Sequence, residues 1–234
     1  MADAILPAHL ATLKKNMGEI GGLLSIHAKL GGSGPGRRHN LEILNRSVIV
    51  LLVACWEAFV EDLAAQAFQA LLDGATEPAT FPTRVLALAS KALRESDDGR
   101  DVWRLAGTGW RTVLRSHRDA LFERFIGKWN TPKPQQVDDL FEKLVGFSGC
   151  SKQWRWRGMG SGAAVIRLES LVSRRGEIAH RVTAGPPARK AEVRADIRFI
   201  LQLATVTSNA VGSFVAGRIG RRPWPNMRLR GRAG

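Results

Sequence analysis

The chain has 234 residues, 44% of them apolar and 24% charged, enough to bury a sizeable core, which argues against a disordered, collagen-like or disulfide-built protein. Its formal net charge of +14 is unevenly placed. Residues 1–150 carry 18 Lys+Arg against 17 Asp+Glu, whereas residues 151–234 carry 17 against 4, so the last third holds +13 of the excess. A field concentrated in this way attracts a polyanion, a nucleic acid or an anionic membrane. The two cysteines, Cys55 and Cys150, have no second thiol at ligand spacing, so neither a zinc site nor a disulfide framework is expected, and they fit a reducing cytoplasm. No tyrosine is present, which removes phenolic nucleophiles and acids from the possible mechanisms.

Apolar spacing predicts helix almost throughout. Leu10, Leu13, Met17, Ile20 and Leu24 recur at three and four, and the glycine-rich residues 31–36 end that segment. Residues 40–72 carry two stripes, Leu41, Leu44, Val48, Leu51 and Cys55 on one and Leu52, Trp56, Phe59 and Leu63 on the other, as expected of a central helix apolar on both sides. The longest apolar run, from Val48 to Trp56, stops at Glu57. A membrane span needs about 20 such residues, so this helix belongs in a protein core. Shorter helices are predicted at residues 83–95, 109–129 and 135–145, and this middle region, about 78–158, reads as an insertion. Two further helices follow at residues 163–182 and 188–218, the latter with Ile197, Ile200, Leu201, Ala204, Val211 and Val215 on one face. Strand signals and internal repeats are absent, and no cleavable leader is recognisable at the N-terminus. The expected architecture is an all-α antiparallel bundle in one domain over residues 1–217, with residues 218–234 as a mobile basic arm of six arginines.

The most specific local feature is Arg174-Arg175-Gly176-Glu177-Ile178-Ala179-His180-Arg181. On a helix, Ala164, Leu168, Leu171, Arg175, Ile178 and Val182 share one stripe, which gives Arg175 a core position. A guanidinium there must be paired, or must face a cleft or a subunit seam. An ideal helix separates Arg175 from His180 by about 7.5 Å along the axis and about 140° around it. The two converge only through a bend at Gly176 or by meeting a second copy of the motif across a two-fold axis, which points to a homodimer. Otherwise Arg175 is a helix-end cap and His180 a surface histidine.

Arg175 to His180 resembles the R-x4-6-H signature of the HEPN superfamily, and the helix Leu51-Leu52-Val53-Ala54-Cys55-Trp56-Glu57-Ala58-Phe59-Val60-Glu61-Asp62-Leu63 resembles the central helix of its RiboL-PSP-HEPN branch. The similarity covers residues 5–73 and 160–217. It implies a dimeric up-and-down bundle with both motifs in one cleft and, in many members, metal-independent endoribonuclease activity without a cofactor. A departure is Gly176, where the superfamily often has Asn, Asp or His; Glu177 and Arg174 are candidate supports. Some members only bind or dimerise, so a catalytically inactive RNA-binding or dimerisation module is the alternative.

The chemistry fits the residues. RNA brings its own nucleophile, so His180 is expected to move a proton near neutral pH and Arg175 to hold phosphate charge. Glu57, inside an apolar stretch, is expected to pair with Arg175, His180 or Arg46; Glu61 and Asp62 read as a solvated edge. Lys152, Trp154, Arg155, Trp156 and Arg157 interleave bases with aromatics, a pattern suited to stacking on unpaired RNA or to pinning the insertion to the bundle. Arg181, Arg221 and Arg222 are expected to be further RNA contacts. The Gly158-Met159-Gly160-Ser161-Gly162 run lacks the preceding strand and following Lys-Ser/Thr of a phosphate loop. The expected role is a toxin or phage-defence effector in the cytoplasm, with an antitoxin or neighbouring-gene product as partner and no membrane association.

Overall fold

A computed structural model describes residues 6–31, 39–126, 133–180 and 188–228. Among them are eight α-helices and no strand, only a single bridge between Trp156 and Met159. The helices are α1 (Ala8–Gly31), α2 (His39–Gly74), α3 (Thr83–Ala89), α4 (Lys91–Arg94), α5 (Gly109–Ile126), α6 (Pro134–Val145), α7 (Ser161–His180) and α8 (Lys190–Ile219).

Helix α2 is the axis, with α1, α6, α7 and α8 packed against it. Leu52, Trp56, Phe59 and Leu63 are buried as their stripe predicts, but Leu51 on the other stripe is 41% exposed. The buried arc of α2 is therefore wide without closing, and one edge, carrying Ile43 and Leu51, meets solvent. At its far end Arg111 from α5 donates to the Leu72 and Ala75 carbonyls, supplying partners that the last helical turn leaves open.

The middle region does not sit apart from the bundle. Phe81, Val85, Leu114, Val137, Phe141 and Leu144 join the same continuous core as α2, α7 and α8. The predicted helix at 83–95 is split at Ser90 into α3 and α4. Helix α6 starts on Pro134 and ends at Gly146, whose positive φ of 78° closes the last turn. A side chain at Gly146 would strike the Pro82 ring, so this chain reversal admits only glycine.

Helix α8 is long and apolar enough to cross a membrane by length and composition, yet Val193, Phe199, Ile200, Leu203, Val211 and Val215 are all buried within the bundle. Its polarity profile is that of a core helix. Residues 220–228 fold back along α8 instead of extending as a mobile arm. Trp224 is only 8% exposed, and Asn209 brackets the Met227 backbone, donating to its carbonyl at 2.8 Å and accepting from its N–H at 2.9 Å. The described part of the arm, with Arg218, Arg221, Arg222 and Arg228, is thus anchored through Trp224 and Met227; Arg230 and Arg232 lie outside the described residues.

A buried polar cluster, invisible to hydrophobic patterning, ties this strap to three helices. His9 of α1 is fully buried, with Nδ1 2.7 Å from Gln66 Oε1 on α2 and Nε2 2.8 Å from Ser208 Oγ on α8. The Trp224 ring lies edge-on to the His9 imidazole at 4.9 Å and donates its N–H to the Ser208 carbonyl at 3.1 Å.

Candidate active site

Along α7, Ala164, Leu168, Leu171 and Val172 face the core. The same stripe then brings Arg175 to a half-buried position, where its charge acts on Glu57 of α2. Burial pushes the Glu57 carboxyl above its ordinary range and Arg175 opposes that rise. Glu61 is raised by burial and by the neighbouring Glu57 and Asp62 charges, and Asp62 by burial. Both are half-buried, so the expectation of a solvated edge is corrected: Glu61 feels the charges of both Glu57 and Asp62, and Arg175 acts on Glu57.

Of the partners open to Glu57, Arg175 is the one within electrostatic reach. Arg46 forms an ion pair with Glu42 at 2.7 Å, and eleven residues along one helix separate it from Glu57 by about 16 Å. Arg174 turns the other way. It pairs with Glu192 at 3.2 Å and approaches Asp196 at 4.0 Å, while Arg167 reaches Asp196 at 3.3 Å. This clasp between α7 and α8 employs Arg174 in holding two helices together, which corrects its expected part in supporting the Arg175 site. Glu177 is exposed.

Helical hydrogen bonding continues through Gly176, so the glycine does not break α7. His180 is exposed in the last described turn of α7. With α7 uninterrupted, Arg175 and His180 of one chain remain about 140° apart around the axis, and one copy does not focus both on a single phosphate. Arg181 lies outside the described residues.

The basic-aromatic stretch divides sharply. Lys152, Arg155 and Arg157 are exposed. Trp154 is completely buried and meets Trp56 edge-on with ring centroids 6.0 Å apart, so its expected stacking on RNA is corrected to a core role. Trp156 is half-buried against Phe199, 6.0 Å between rings. Arg221 and Arg222 are exposed, and Arg222 bonds Asn226 at 2.6 Å and Ser213 at 3.3 Å. Both cysteines are buried and free, with burial raising each thiol and Asp138 adding to the rise at Cys150. Among the described residues, no three His, Cys, Asp or Glu side chains gather as a metal-binding cluster.

An all-helical bundle with a cation half-buried between its central helix and the helix carrying R-x4-H has the form of a HEPN domain. The chain belongs to the RiboL-PSP-HEPN family, whose model matches residues 19–213. That span runs through the middle region as well as the two segments carrying the sequence resemblance. HEPN domains are a nuclease- and toxin-like fold, often RNA-binding and dimeric. No curated protein and no solved structure matches the chain.

Proposed function

We propose that the protein is a metal-independent endoribonuclease of the cytoplasm, acting as a homodimer in the manner of a toxin or phage-defence effector. The observation that carries this reading is Arg175, held half-buried beside Glu57 at the α2–α7 seam within a family-matched domain. In the proposed reaction His180 takes the 2′-hydroxyl proton, the 2′-oxygen attacks the adjacent phosphorus, and the bond to the 5′-oxygen breaks. The leaving oxygen receives a proton from a second histidine or from water, giving a 2′,3′-cyclic phosphate and a 5′-hydroxyl. Arg175 stabilises the phosphorane charge and Glu57 orients the guanidinium. A partner protomer supplies the convergence that one uninterrupted α7 lacks, and the exposed Ile43 and Leu51 give that partner apolar surface to cover.

The purified full-length dimer is expected to cleave single-stranded RNA in EDTA. Arg175→Ala or His180→Ala should reduce the rate by about 10²- to 10⁴-fold, the usual worth of a positioned proton-transfer or charge-stabilising group. Undiminished cleavage by both variants overturns the assignment.

Gly176 favours a second reading, a silent RNA-binding or dimerisation module. A side chain there would have no atom within 4 Å of its Cβ, so the place for a supporting polar group is vacant. RNA binding by a dimer that produces no cyclic phosphate identifies this alternative.

A further inference from the structure

The acid-free segments of the chain come together at one place. Residues 146–168 contain no Asp or Glu, and neither do residues 197–234. The turn after α6 and the C-terminal half of α8 meet along a shallow groove of about 550 Å³, lined by Phe147, Gln153, Arg155, Asn209, Ser213 and Phe214. Phe147 and Phe214 stack with centroids 4.9 Å apart and planes 29° from parallel. The Arg218 guanidinium carbon lies 5.7 Å from the Phe214 ring centre, and Arg222 donates to Ser213 at the same edge. Arg155 is exposed on the opposite wall.

We propose that this groove is a second contact for substrate, seating an unpaired stretch of RNA with a base against the Phe147–Phe214 pair and its phosphates toward Arg155 and Arg218. Aromatic faces recognise any unstacked base, whereas a continuous duplex keeps its bases stacked on one another. The surrounding field selects a polyanion because no carboxylate from either segment dilutes it. The groove lies about 20–30 Å along α8 from the Arg174–Glu192 pair, counting 1.5 Å per residue, so it holds the strand at a point remote from Arg175. The choice of RNA over another polyanion rests on the ribonuclease reading; the stacking platform and its charge do not.

Binding is measured on the full-length His180→Ala chain, so that cleavage does not intervene and the phosphate-holding Arg175 is kept, with fluorescent oligouridylate and an RNA duplex of equal length. Single-stranded RNA should bind tighter than duplex. Phe147→Leu and Phe214→Leu keep apolar bulk but remove the rings, and each should weaken single-strand binding by roughly fivefold or more, within the range that loss of one stacked base produces. Arg155→Gln and Arg218→Gln, at exposed positions where the fold is insensitive, should each lower the slope of log K against log salt by about 0.7. Thermal unfolding of the two leucine variants separates lost packing from lost binding.

Equal affinity for duplex, or leucine variants that stay folded and bind like the parent, overturns the groove even if the wild-type protein cleaves RNA. If the wild type cleaves nothing while these binding losses are found, the groove stands and the nuclease reading fails.

Discussion

The C-terminal strap makes a demand on α8 that thermal unfolding can test. Trp224→Ala removes a ring that is 8% exposed, and a buried tryptophan hides about 150–250 Å², worth about 4–6 kcal/mol at about 25 cal/mol/Å² as an upper estimate. Its hydrogen bond to Ser208 is lost as well. A strap near the chain end relaxes more readily than a closed core, so the expected cost is near the low end for Trp→Ala, about 3 kcal/mol. For a chain of this size that lowers Tm by about 6–12 °C. Gly212 provides the complementary test, because a Cβ there would stand 2.7 Å from Trp224 Nε1. Gly212→Ala alone should destabilise by about 1–3 kcal/mol through overpacking. In the Trp224→Ala background the obstacle is gone, and the same change should become neutral or stabilising by up to about 1 kcal/mol from helix propensity. The assay is unfolding followed by circular dichroism at one fixed protein concentration, since a dimer makes Tm depend on concentration. A Trp224→Ala chain within about 0.5 kcal/mol of wild type, or a Gly212→Ala cost unchanged by removing the tryptophan, refutes the docked strap.

Two further outcomes concern the helices. Gly176→Ala fills open space in an unbroken helix and should stabilise by about 0.4–1 kcal/mol, raising Tm by about 1–4 °C; a lower Tm means α7 is strained at that point. Burial holds the His9 imidazole below its ordinary value against the opposing Gln66 bond, and His117 is lowered mainly by burial too. Their stabilisation is therefore fully present above about pH 6.5 and is lost as pH falls through the depressed folded-state values. Tm should fall on mild acidification and fall less in His9→Gln; parallel profiles for the two chains exclude His9 as a contributor.

Helix boundaries were legible because three- and four-residue apolar spacing reports burial directly. Helices α6 and α8 lie within two residues of their predicted ends, and the Ala164-Leu168-Leu171 stripe gave Arg175 a core position where the structure leaves it half-buried. Spacing does not report what covers a face, and each misplacement follows from that. Trp154 and Arg155 are neighbours in one basic-aromatic run, yet one packs on Trp56 and the other meets solvent. Trp224 in a Gly-Pro-Arg context resembled a loose arm because its receptor, the notch at Gly212, lies in another element. The His9–Gln66–Ser208 network joins residues on three helices, and a lone histidine near a chain start carries no local mark of such partners. Phe147 and Phe214 likewise become a pair only when the turn after α6 reaches α8.

The two proposed catalytic groups differ in how the fold depends on them, and this separates chemistry from stability. Arg175 is half-buried against Glu57, and its charge opposes the burial-driven rise of that carboxyl, which in turn neighbours Glu61. Removing Arg175 leaves Glu57 half-buried without the opposing charge and still beside Glu61, so Arg175→Ala should lower Tm at neutral pH, and Glu57→Gln in that background should restore part of the loss by deleting the uncompensated carboxylate. His180 is exposed, and His180→Ala should change stability by no more than about 0.5 kcal/mol. Activity lost in a fully stable His180 variant is therefore the cleaner evidence for catalysis. Loss in Arg175→Ala carries the same meaning only once unfolding curves show the variant folded at the assay temperature, and a Glu57→Gln substitution that further destabilises Arg175→Ala contradicts the charge argument for the seam.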